Sequence, residues 1–166
     1  MRRNLVILAF ALSSACGREP PRTSEANTAA ANTMSPASSD IRTPGAVVEH
    51  HVRAMKAADI DAVMSDYADQ AVVVTPPALV PDQTPPTGPG VYAGSANARR
   101  VFAVLTGKDN IDSIKSMATS IEPGGKDIAF LRWTQFKGTP HEVSGTDVFV
   151  VRDNKIVFQD IVPNPK

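Results

Sequence analysis

Two aspartates near the end of the 166-residue chain carry its sharpest chemical signal. Asp147 lies in GTDVFVVRDN and Asp160 in KIVFQDIV, two β-branched and aromatic runs joined by Asp153-Asn154. Asn tolerates a left-handed backbone, so a two-residue turn there predicts a hairpin. Counting outward from the turn, Arg152 faces Lys155, Val151 faces Ile156, Phe149 faces Phe158 and Asp147 faces Asp160. Alternation then puts both aspartates and both phenylalanines on one face, the better candidate for a concave interior. Directly opposed carboxylates, with Cβ atoms about 5 Å apart, repel each other. Beside aromatic rings such a pair raises one proton affinity, the condition for a general acid or base near neutral pH. The predicted chemistry is proton exchange with a small, largely apolar ligand. At a wet rim, or with Asp147 held by Arg132, the same pair would do no chemistry. The residues leave both readings open.

The strand before this hairpin has two possible registers. If Lys137–Pro140 close a four-residue loop, Phe130 faces Asp147 and Arg132 lies diagonal to it. A slip of one residue turns Leu131 and Trp133 inward instead, with Trp133 over Gly145. Candidate ligand contacts are therefore Arg132, Trp133, Phe149 and Phe158, joined by Tyr67 and His51. Tyr67 is read as ending a helix, where its hydroxyl either aims into a pocket or is satisfied in the core. His51 flanks the apolar stripe of Val48 and Val52. His50, His51 and His141 make no metal set, since the first two are adjacent and no His-x-x-x-His spacing occurs. No metal or cofactor is expected. There is no Gly-x-Ser-x-Gly elbow, and Gly88-Pro89-Gly90 and Pro123-Gly124-Gly125 read as turns rather than phosphate cradles.

These side chains need a scaffold. Thr43 and Pro44 predict a helix start, with Val48, Val52 and Met55 at helical spacing behind it. Asp59 predicts a second cap, and Ala71–Thr75 a strand. Residues 76–90 hold six prolines and read as a loop, either a lip to the pocket mouth or a surface insertion. Gly94-Ser95 opens a third helix through Leu105. Residues 111–122, 127–136, 142–152 and 155–162 read as four consecutive antiparallel strands. Helices followed by such strands make an α+β layer.

That order resembles the nuclear transport factor 2-like superfamily, particularly its SnoaL-like members. The resemblance rests on AADIDAVMSDYADQAVVVTPP, YAGSANARRVFAVL and GTDVFVVRDNKIVFQD, and it covers about residues 44–166. It implies a cone-shaped curved antiparallel sheet packed on three N-terminal helices, with a pocket at the open end. It also implies isomerase, cyclase or dehydratase chemistry or a non-catalytic module, and a homodimer formed through the sheet's outer face. Fold alone does not select among these activities.

The rest of the sequence gives an address. Seventeen Lys and Arg balance 17 Asp and Glu, with no basic patch, which excludes a strongly basic nucleic-acid binder. Arg2-Arg3 precede eight apolar residues, Leu5–Leu12, too few for a span of about 20. The only cysteine, Cys16, follows Ser13-Ser14-Ala15, and the whole resembles a bacterial lipoprotein signal over residues 1–15 with lipidation at Cys16. One cysteine also excludes an internal disulfide. Residues 16–43, rich in Pro, Ser, Thr, Ala and Asn, read as a disordered tether. The expected product is a domain over 44–166 tethered by lipid in an extracytoplasmic space, on the periplasmic side of an outer membrane. Its expected partner is a small hydrophobic or amphipathic molecule; a protein-interaction module is the alternative.

Overall fold

The computed structural model describes residues 41–80 and 90–165. The lipoprotein signal, Cys16, nearly all of the tether and loop residues 81–89 lie outside the described residues.

Helix α1, Pro44–Ala57, starts where expected: Thr43 Oγ1 accepts the Ala46 N–H at 3.2 Å and proline takes the first turn. It ends at Ala58 in a left-handed conformation and buries Val47, Val48, His51, Val52, Ala54 and Met55. Asp59 caps α2, Ile60–Ser65, accepting from the Ala62 N–H at 2.9 Å. Tyr67 does not end this helix. It opens strand β1, Tyr67–Val74, because Asp66 already closes the helical turn. Within the proline-rich loop, Pro77–Leu79 make one 3-10 turn. The short strand β2, Val91–Ala93, leads through Gly94 at φ +84° into α3, Ser95–Leu105, which buries Ala98, Val101 and Phe102.

Residues 111–122 are not a single strand. Ile111–Lys115 form helix α4, burying Ile114, and only Ala118–Pro123 extend as β3. Ile111, Ile114 and Met117 recur at a spacing of three, and that short helical period competes with β-branching. Strands β4, Ile128–Gln135, β5, Val143–Arg152, and β6, Lys155–Pro163, complete a six-stranded curved sheet ordered β2-β1-β6-β5-β4-β3. It is antiparallel except where β1 runs parallel to β6. The helices cover one face, and the core lies between them and the sheet.

The last hairpin departs from simple counting. Asp153 and Asn154 both take positive φ, 51° and 62°, as a primed two-residue turn requires. Arg152 faces Lys155 and Val151 faces Ile156 as expected. The register then shifts: Val150 faces Phe158, so Val157 is an extra residue on β6, a β-bulge. Beyond it Phe149 faces Gln159, Val148 faces Asp160 and Asp147 faces Ile161.

Candidate functional site

The bulge rewrites the interior. A shift of one residue exchanges the faces of a strand. Gln159 therefore points inward, 1% exposed, while Phe158 and Asp160 belong to the outer face of the sheet. Asp147 and Asp160 are not opposed, so the expected carboxylate pair does not exist. Phe158 does not line the interior either.

Between β4 and β5 the structure adopts the slipped alternative: Leu131 faces Asp147 and Trp133 faces Gly145. Trp133 turns inward over a residue with no side chain. A Cβ on Gly145 would lie against the Trp133 indole and 2.6 Å from the Val162 carbonyl oxygen. Arg132 consequently faces outward, where its Nε donates to Glu122 Oε1 at 2.8 Å in an exposed pair. It does not approach Asp147.

What converges on Asp147 is a chain of neutral donors. Trp133 Nε1–H donates to Oδ1 at 2.7 Å, and Gln159 Nε2–H donates to Oδ2 at 2.9 Å. The Tyr67 hydroxyl donates in turn to Gln159 Oε1, which fixes the orientation of that amide. Each carboxylate oxygen accepts one bond and keeps a lone pair for a ligand or a proton. Asp147 is 6% exposed, and burial pushes its pKa up to about 7. The bonds from Trp133 and Gln159 hold that rise back, and the charge of Asp160 adds a little to it. Burial first, then the charges of Asp147 and Asp66, raise the Tyr67 hydroxyl well above its ordinary value, so it stays a donor.

His51 comes from α1 and sits among three rings, with centroids 5.6 Å from Tyr67, 5.3 Å from Phe102 and 5.6 Å from Phe149, all edge-on. Burial, with help from the charge of neighbouring His50, drops its pKa to about 3, so the imidazole is neutral. Its Nδ1 has no hydrogen-bond partner, alone among the buried side-chain polar atoms of the described residues. A buried donor without a partner is costly, which favours the tautomer carrying its proton on Nε2.

These groups border a cavity of about 170 Å³. Val52 and Met55 of α1, Phe102 of α3, Ile114 of α4 and Leu131 and Ile161 of the sheet give it apolar walls, and Leu79 of the proline-rich segment joins them. Asp147, Gln159, His51, Trp133, Ser113 and Gln135 are among its polar lining, the Ser113 hydroxyl donating to Gln135 Oε1 at 2.7 Å. Of the expected contacts, Asp147, His51 and Trp133 line the cavity; Tyr67 and Phe149 stand behind its wall. Counting from the turn alone puts Gln159 on the outer face, and nothing in the sequence marks Phe102 beyond its place in the third helix. Among the described residues no three His, Cys, Asp or Glu side chains converge as metal ligands would.

A SnoaL-like domain family model matches residues 48–159. No match was found among curated proteins. Solved structures share the fold. An NTF-2 like protein of unknown function from Burkholderia xenovorans LB400 is 15% identical, with 72% of this chain and 81% of that one covered and a TM-score of 0.52. An NTF2-like protein of unknown function from Mesorhizobium loti is 17% identical, with 74% and 91% covered and a TM-score of 0.52. TerC, co-crystallized with polyporic acid, is 14% identical, with 74% and 92% covered and a TM-score of 0.53. The chain belongs to the SnoaL-like domain family, whose members are often ligand-binding proteins, isomerases or cyclases.

Proposed function

We propose that in this family member the cavity binds a small hydrophobic or amphipathic molecule and that Asp147 exchanges a proton with it. One observation carries the reading: a carboxyl tuned to about 7 stands in an apolar hollow, held by Trp133 and Gln159. Near neutral pH such a group populates both forms, so it can take a proton from a bound molecule and return it elsewhere. The single tryptophan of the chain lines the hollow, which makes intrinsic fluorescence a direct probe of occupancy. Titration with one-ring apolar compounds should change Trp133 emission saturably and raise the melting temperature. If neither responds to any of them, the ligand reading fails.

A second reading has its own support. Val72, Phe158, Val150 and Ile128 form a cross-strand row on the outer sheet face, with Phe130 and Val148 beside it and Val162 45% exposed. An apolar face of this kind suits a homodimer or another envelope protein. We place the protein outside the cytoplasm, anchored through Cys16 and a spacer over 16–43, on the strength of the N-terminal sequence. Metabolic labelling with a fatty acid should mark the wild type and not Cys16→Ser; labelling of both removes the anchor.

A further inference from the structure

Among the described residues two carboxylates are almost wholly buried, Asp66 and Asp147, and they are treated differently. Asp66, 1% exposed, meets Arg42 Nη2 at 3.2 Å and His50 Nδ1 at 2.6 Å. Asp147, 6% exposed, meets only the neutral indole N–H of Trp133 and the neutral amide of Gln159. Among the described residues no Lys or Arg lines its cavity. The groups facing it are His51 from α1, and Tyr67 of β1 acting through Gln159; Asp160 lies on the far face of β6. None of these supplies a positive charge, since His51 is neutral above about pH 3.

We propose that the cavity selects a small one-ring organic amine in its protonated form, with the Asp147 carboxylate as its countercharge. This rests on the reading of the cavity as a ligand site and names the class of ligand. Size comes from the volume: about 170 Å³ compares with a hydrophobic cavity of roughly 150 Å³ that accepts benzene. Charge comes from the carboxylate, whose burial has already removed most of its water. A cation brought beside it recovers an interaction that the apo protein lacks, whereas an anion would meet repulsion in a low-dielectric space. The walls assist, because the Trp133 and Phe102 rings that border the cavity can pack against the carbons of such an amine. The free lone pairs of Asp147 accept the ammonium protons.

The test uses the full chain and three probes of one shape: benzylamine, benzyl alcohol and benzoate, titrated by calorimetry at about pH 8 and again at about pH 5.5. Benzylamine should bind about tenfold or more tightly than benzyl alcohol at the higher pH, with benzoate weakest. That preference should shrink at the lower pH, where Asp147 is protonated, and collapse in Asp147→Asn, whose fold is checked by near-ultraviolet circular dichroism. Equal or tighter binding of benzyl alcohol overturns the amine and leaves the ligand site standing. Tightest binding of benzoate overturns the amine as well. Absence of binding by all three overturns both readings. An amine preference that survives unchanged in folded Asp147→Asn also defeats the proposal, because the countercharge would lie elsewhere.

Discussion

Asp147 and His51 put opposite demands on the folded state. Asp147 holds a proton in the native protein up to about pH 7, which the unfolded chain releases near pH 4. Its contribution is present below pH 4 and is lost as pH rises towards 7. His51 stays neutral in the native protein down to about pH 3 but is protonated below about 6.5 when unfolded. Its contribution is present above 6.5 and is lost as pH falls towards 3. Between about pH 4 and 6.5 the two slopes oppose each other and largely cancel. Asp147→Asn should therefore lose stability relative to wild type as pH is lowered from 7 to 4, by up to about 4 kcal/mol. Flipping Gln159 lets its carbonyl accept from the new amide while the Tyr67 hydroxyl turns from donor to acceptor, so the variant keeps a bonded network. His51→Phe should gain relative to wild type over the same acidification. It should also be at least as stable at neutral pH, since an unpartnered buried polar atom is removed. Urea unfolding across pH checks both; parallel curves for wild type and both variants would refute the assignment.

At the scale of elements, the position of Asp147 depends on two local devices. The bulge at Val157 brings Gln159 rather than Asp160 to the inner face, and Gly145 leaves room for Trp133. Gly145→Ala should force the indole aside and cost about 1–3 kcal/mol in thermal or denaturant unfolding. Losing the Trp133 donor removes a bond to the ionised form, so the Asp147 pKa should rise further. A variant with wild-type stability and unchanged titration would show that the close approach is unimportant. These devices also mark where sequence reasoning succeeded and stopped. Caps at Thr43 and Asp59, the third helix and the Asp153-Asn154 turn were legible, because each is set by neighbours within a few residues. The turn fixed two residue pairs correctly, but an extra residue three positions beyond it leaves no compositional mark, and every pair after it moved. The slip between β4 and β5 had a legible trace in Gly145, which has no side chain to meet an inward tryptophan, yet spacing alone fitted both registers. Helix α4 escaped notice because five residues give barely one turn of periodicity.

For the whole molecule, the two faces of the sheet carry separate proposals, a ligand within and a partner copy outside. They are separable by mutation, because Phe158 and Asp147 lie on opposite faces. Phe158→Asp should disrupt a homodimer in sedimentation equilibrium while leaving cavity titrations intact; an unchanged dimer would place the interface elsewhere. Proton exchange in the cavity depends on the state of Asp147 in its hollow. The pH dependence of Trp133 fluorescence reads it, since the indole N–H is bonded to that carboxylate and no other tryptophan is present. A transition near pH 7 that vanishes in Asp147→Asn is predicted. A midpoint near 4, or a transition retained by the variant, would contradict it.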